Sequence, residues 1–139
     1  MRSFEELLTS VQNRTKNKGM KKVVLCGAED REGLISVREA LHKGIAAPVC
    51  VGQRFLIEPL LEELGLTSIE VVATNSEEET AFQSVQCVRQ GNGDFILKGG
   101  VKTSVLLKAV LHKETGIRKE PLLSHTLVTE MTHQKRFLL

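Results

Sequence analysis

At 139 residues the chain is long enough for one domain with a sizeable core and short for two. Hydrophobic residues at 41% and charged residues at 26% sit near the average of folded soluble domains, which excludes wholesale disorder and collagen-like or coiled-coil rods. Nineteen basic residues against 17 acidic ones leave a net charge of +2, no excess for a nucleic-acid partner, and the absence of Trp and Tyr leaves no stacking platform for single strands.

The chain opens on a predicted helix over 3–18, with Ser3 as N-cap and Glu6 completing a capping box. Glu5 and Glu6 in that opening stretch argue against a signal peptide, and no apolar run is long enough for a membrane span. The expectation is a soluble, cytoplasmic protein. A short strand over 22–26 follows, then a helix from the N-cap Asp30 to about Lys43, closed by Gly44. The next strand covers 47–51. A helix over 54–64 contains Pro59, which should start a later turn or kink it. A third strand is expected over 69–73. Ser76 then caps a helix to about Gln90, whose opening Glu77, Glu78 and Glu79 complement the helix dipole and need no catalytic explanation. A fourth strand over 94–98, a helix from Thr103 to about Lys113, a fifth strand over 124–130 and a sixth from near Gln134 complete the reading.

Strand and helix alternating with short connections predict an α/β fold, three layers deep, with a mainly parallel sheet between helices. Runs such as Val23-Val24-Leu25 and Phe95-Ile96-Leu97 are apolar at consecutive positions, as expected when both faces of the sheet are covered. Ligands of such sheets bind outside the carboxyl ends of the strands. That rule selects four loops: 27–30, 52–54, 74–76 and 98–104.

The last of these, Lys98-Gly99-Gly100-Val101-Lys102-Thr103-Ser104, leaves a strand and opens a helix. Free N–H groups and the positive end of a helix dipole converge there, two glycines admit close approach, and lysines and hydroxyls add donors. It reads as an anion cradle, with phosphate the expected ligand. The bland alternative is a tight turn with Thr103 as an ordinary N-cap. Val101 and Ile96 stand where a Walker A loop needs glycines, and Gly91-Asn92-Gly93 precedes its strand, so nucleotide hydrolysis and hydride transfer lose their motif support. A receiver domain would need an acceptor aspartate where the chain has Ala73-Thr74-Asn75.

Cys26, Cys50 and Cys87 are odd in number and lack a C-x-x-C pair, which excludes a disulfide framework and a zinc ribbon and leaves buried reduced thiols. His42, His112, His125 and His133 have no metal-ligand spacing; the first two are expected as solvated helix-end residues and His125 as a hydrogen-bonded structural residue.

The segment Ile96-Leu97-Lys98-Gly99-Gly100-Val101-Lys102-Thr103-Ser104-Val105-Leu106-Leu107-Lys108-Ala109-Val110-Leu111, continued by Glu114-Thr115-Gly116-Ile117-Arg118 and Leu122-Leu123-Ser124-His125, closely resembles the phosphate acetyl/butyryltransferase family, and within it the phosphate butyryltransferases. Ala28-Glu29-Asp30 is similar to the family less specifically, and Ile117 and Thr126 depart from its usual Leu and Val. The resemblance implies reversible acyl transfer between coenzyme A and inorganic phosphate, on a fold resembling the first domain of the isocitrate/isopropylmalate dehydrogenase type. It implies acyl-CoA and phosphate as substrates, no further cofactor, no nucleic-acid or membrane partner, and is compatible with a homo-oligomer.

It also gives Lys98, Gly99, Gly100, Thr103 and Ser104 a phosphate-binding role and makes Arg118 a bidentate partner for phosphate or for a phosphate of coenzyme A, against its alternative as a surface charge. Members are about twice this length, so the chain is expected to be the amino-terminal half, by truncation, partial gene or frameshift. The second domain and the catalytic groups would then be absent and the isolated chain poorly active. The competing readings are a non-catalytic phosphate- or CoA-binding module, and a subunit completed by a separate chain.

Overall fold

A computed structural model describes residues 4–112, 114–116, 129–130 and 137–138. Its elements run α1 (Phe4–Lys18), β1 (Lys21–Cys26), α2 (Arg31–His42), β2 (Ala46–Gly52), α3 (Arg54–Glu63), β3 (Glu70–Ala73), α4 (Glu77–Arg89), β4 (Phe95–Lys98), α5 (Thr103–Leu111), β5 (Thr129–Glu130) and β6 (Phe137–Leu138). The first four strands form one all-parallel sheet in the order β3-β2-β1-β4. The expected α/β sandwich is therefore borne out. β5 and β6 pair antiparallel with each other, outside that sheet.

Alternation along each strand divides the side chains between two helical layers. Val23 and Leu25 of β1 and Cys50 of β2 pack with Leu34 and Val37 of α2 and Ile57 and Leu61 of α3. Val24 of β1, with Val49 and Val51 of β2, turns the other way, to Cys87 of α4. Cys26 packs there against Ala81 of α4 and Leu106 of α5. Residues 23–26 are at most 3% exposed, which is why the segment is apolar at every position.

The helix starts follow their side chains. Asp30 is the N-cap of α2 and accepts from the Glu32 N–H. Ser76 accepts from the Glu79 N–H at 3.1 Å, while the Glu79 carboxylate accepts from the Asn75 N–H at 3.0 Å. The places of Pro59 and Thr103 have physical causes. Pro59 lies inside α3, within the helix expected over 54–64, and does not start a later turn: it and the preceding turn at Phe55 are exposed, so the carbonyl that loses its partner can turn to water. The N-cap of α5 is Lys102, without a side-chain cap bond, so Thr103 is the first helical residue rather than the cap. The expected cap Ser3 and most of the expected strand 124–130 lie outside the described residues. Among the described residues no helix is long and apolar enough to cross a membrane.

Candidate functional site

The chain steps from β1 to β2 to β3 in one direction, then returns to place β4 on the far side of β1. The switch point of the sheet thus falls between β1 and β4, the position at which open α/β sheets bind ligands. A pocket of about 530 Å³ opens beside it. Its wall draws on all four loops that the carboxyl-end rule selects or their helix starts: Glu29 after β1, Gln53 after β2, Ser76, Glu77 and Thr80 after β3, and Gly99 to Lys102 after β4.

Where the backbone donors go determines what the pocket offers. Gly99 N–H donates to Cys26 O and Gly100 N–H to Gly27 O, both at 2.8 Å. The two loops at the switch point are therefore bonded to each other. Gly27 has φ +90°, and a Cβ there would come within 2.6 Å of Gly100 N; a Cβ on Gly99 would come within 2.5 Å of Gly27 O. These glycines are required by backbone meeting backbone. The expectation that both amides of Gly99 and Gly100 stand free for a ligand is corrected accordingly. Gly100 itself keeps space, since its nearest neighbour would lie 3.4 Å from a Cβ.

Two helix starts on the pocket wall carry carboxylates of the chain itself. Glu77 accepts from the Lys102 N–H at 2.5 Å, at the entry to α5, and Glu29 accepts from the Gln53 N–H at 3.1 Å, at the entry to α3. Each carboxylate oxygen stands where the oxygen of an anionic ligand would bind a helix start. Sequence reasoning assigned Glu77 to the dipole of its own helix and missed this contact across 25 positions. Thr103 and Ser104, both exposed, occupy the first turn of α5, where N–H groups lack an intrahelical acceptor. Lys98 and Lys102 are exposed at the rim, and Lys98 Nζ lies 3.5 Å from Gly99 O.

Beneath the pocket runs a chain of buried hydroxyls. Thr80, on the wall, shares a 2.6 Å hydrogen bond with Thr74 and donates to Ser76 O at 2.8 Å, and Ser84 donates to Thr80 O at 2.8 Å. Cys26 Sγ lies 3.9 Å from the same Thr80 carbonyl. Burial raises the Cys26 thiol, its Ser84 hydrogen bond offsets part of that, and the charges of Glu29 and Glu77 act against that of Lys98. A thiol that is fully buried and holds its proton is no nucleophile.

The structure thus brings Gly99 and Gly100 to the pocket wall and Lys98, Thr103 and Ser104 to the adjoining turn. Arg118 lies outside the described residues, as do His125 and His133. His42 is the exposed last residue of α2, and His112 Nδ1 accepts from the Glu114 and Thr115 N–H groups, each at 3.2 Å. Among the described residues no group of three or more His, Cys, Asp or Glu could hold a metal ion.

Across 99% of its length the chain is similar to a phosphate butyryltransferase of Clostridium acetobutylicum, with 34% identity over 140 residues, and covers 45% of that protein. A branched-chain phosphotransacylase from Enterococcus faecalis V583 shares its structure with TM-score 0.53 and 25% identity, over 66% of this chain and 33% of that one. A phosphotransacetylase from Streptococcus pyogenes matches with TM-score 0.65 over 78% of this chain and 42% of that one; at 16% identity it bears on the fold alone. No protein-family model matches the chain. The resemblance to phosphate acetyl/butyryltransferases is borne out, and it concerns the amino-terminal half of those proteins. The chain spans less than half the length of the relative that it matches end to end.

Proposed function

We propose that the chain supplies the amino-terminal part of an acyltransferase that exchanges an acyl group between coenzyme A and inorganic phosphate, and that the pocket at the carboxyl ends of the strands receives a phosphoryl-bearing part of those substrates. The observation that carries this reading is the similarity over 99% of the chain, at 34% identity, to a protein named phosphate butyryltransferase.

In that reaction a phosphate oxygen attacks the thioester carbonyl carbon. The tetrahedral intermediate collapses with cleavage of the C–S bond, giving acyl phosphate, and the departing thiolate takes up a proton. A protein must hold two anions together and stabilise the developing oxyanion. Lys98 and Lys102 supply positive charge at the rim, and Thr103 and Ser104 supply first-turn N–H groups and hydroxyls. Gly99 contributes by locking the α5 entry to β1, and Gly100 leaves space beside it. Arg118 is assigned to phosphate by the family resemblance. An entering phosphoryl oxygen replaces the Glu77 carboxylate at the Lys102 N–H, exchanging one anion for another.

The family resemblance assigns the catalytic groups to the part of the relatives that residues 1–139 do not match, so these residues on their own are expected to bind ligand and to turn over poorly or not at all. The reaction requires coenzyme A and phosphate as substrates and no additional cofactor, and three unpaired cysteines suit the reducing cytoplasm.

The test uses the full 139-residue chain with butyryl-CoA and phosphate, following thiol release and, by calorimetry, binding of coenzyme A and of phosphate. The expected result is saturable binding without turnover, weakened about tenfold by Lys98→Ala, the scale of one lost charge-assisted contact. Sustained thiol release would overturn the assignment of the catalytic groups to a second domain. Absence of binding would remove the pocket from the reaction.

A further inference from the structure

We propose, resting on the acyl-CoA reading above, that the groove between α4 and α5 holds the pantetheine arm of coenzyme A. The groove encloses about 460 Å³ and is distinct from the pocket at the strand ends. Phe82 of α4 and Val105 and Ala109 of α5 give it an apolar lining. Phe82 is 41% exposed, although Ala81 and Val85 of the same helix are each 1% exposed. Val105 and Ala109 are half-buried against the cluster that packs α5 on α4. An apolar concave surface with a few polar groups around it is the usual make-up of a small-molecule site.

The far end of the groove is fixed by side chains. From α4, Gln86 Nε2 donates to Thr115 O at 2.9 Å and Arg89 Nη1 to Glu114 O at 2.5 Å. The Gly116 N–H donates to His112 O at 2.9 Å, and His112 Nδ1 accepts from the N–H groups of Glu114 and Thr115. A ring nitrogen that accepts hydrogen bonds carries no proton, so the neutral imidazole keeps its proton on Nε2. His112 lines the groove and thus brings it an N–H donor. Lys108 and the Ser104 hydroxyl add donors, and the Glu78 carboxylate adds an acceptor.

Pantetheine has the matching chemistry. Each of its amides offers a carbonyl to donors and an N–H to an acceptor, and its dimethyl-bearing carbon suits the Phe82 ring. The groove also adjoins the phosphate pocket: Lys102 lines the pocket and Ser104 the groove, Glu77 the pocket and Glu78 the groove. A phosphate oxygen attacks the thioester only when the reacting atoms stand about 3–3.5 Å apart. The thioester end therefore lies at Ser104, and the arm runs from there toward His112. Those positions are separated by about 12 Å at the rise of a helix, room for the greater part of an extended arm. The nucleotide leaves the groove past His112.

The test titrates the full 139-residue chain and its variants by calorimetry with coenzyme A, with inorganic phosphate, and with adenosine 3′,5′-bisphosphate, which lacks the arm. Ala109→Trp fills the groove. It is expected to weaken coenzyme A about tenfold or more and to leave the other two ligands within about twofold. If Ala109→Trp loses phosphate as well, the fold has changed, and Phe82→Ala decides instead, with a loss of about threefold to tenfold for coenzyme A alone. Nitrogen NMR of His112 is expected to show a proton on Nε2 in the free chain and a shift of that signal when coenzyme A is added. Coenzyme A bound equally well by the unaltered chain and both variants would overturn the groove assignment and leave the acyl-CoA reading standing. No coenzyme A binding by the unaltered chain would overturn both. Loss of the bisphosphate in step with coenzyme A would put the nucleotide in the groove and overturn the assignment of the arm.

Discussion

The two faces of the same parallel sheet are built differently. Under α2 and α3 lies one continuous aliphatic cluster, with Leu25, Leu34 and Ile57 fully buried and no polar side chain among its members. Under α4 and α5 the apolar packing breaks into two smaller clusters of Val, Ala, Cys and Leu, and the buried hydroxyls of Thr74, Thr80 and Ser84 run beside them. Thr80 also lines the pocket. The aliphatic face therefore carries most of the hydrophobic stabilisation. The other face gives up some of that packing for a polar framework that reaches the pocket wall. Every member of that framework is bonded, and among the described residues no buried side-chain N or O atom lacks a partner.

The largest expected effect follows from truncating the same residue type on each face. Leu25 is 0% exposed in the aliphatic cluster and Leu106 is 9% exposed in the small cluster under α5. Leu25→Ala should cost roughly 4–5 kcal/mol and Leu106→Ala about 2 kcal/mol, opposite ends of the range for a buried leucine. Urea midpoints at constant m-value measure both. Equal costs would break the contrast between the faces.

A second effect separates the thiols by pH. Cys50, on the aliphatic face, is pushed from its ordinary 9.0 up to about 12 by burial alone, whereas burial raises Cys26 against an opposing Ser84 hydrogen bond. A folded thiol that keeps its proton longer than the unfolded one makes the folded state the better proton binder between about pH 9 and 12. The associated stability is complete below pH 9 and is lost as pH rises through that window. The Cys50 contribution to the slope is about 1.4 kcal/mol per pH unit. Urea midpoints from pH 7 to 10.5 should therefore fall above pH 9, and Cys50→Ala should flatten the fall more than Cys26→Ala.

Much of this architecture is legible in local pattern. Asp30 and Ser76 mark helix starts because a short polar side chain reaches its own helix's N–H groups, and those caps appear where expected. The four selected loops meet at one pocket because a parallel sheet puts the carboxyl ends of all its strands on one side. What the pattern could not show is which donor meets which acceptor across the chain. A Gly-Gly pair looks the same whether it admits a ligand or, as at Gly99, a neighbouring carbonyl. Glu77 looks like a dipole partner of α4 until folding sets it against Lys102. Strand propensity likewise said nothing of β4 ending the described sheet, because Phe95-Ile96-Leu97 has the composition of a central strand.

The smallest expected effect tests the hydroxyl framework itself. Thr80→Val keeps the side-chain shape and removes the Oγ1 that Thr74 shares at 2.6 Å, leaving the Thr74 hydroxyl, in a residue only 3% exposed, without that partner. The cost should be about 1–2 kcal/mol, the penalty for stranding a buried polar group. Ser76 O loses the Thr80 hydroxyl but still accepts from the Thr80 N–H at 2.9 Å, so it adds little. If the penalty comes from the stranded hydroxyl rather than from a lost attraction, removing Thr74 Oγ1 as well should relieve it. The double variant Thr74→Val/Thr80→Val is then expected to be more stable than Thr80→Val alone, by about 1 kcal/mol in a double-mutant cycle. A double variant that is the less stable of the two would mean that the hydroxyl pair contributes net attraction of its own, and that the polar face is held together by more than satisfied bonds.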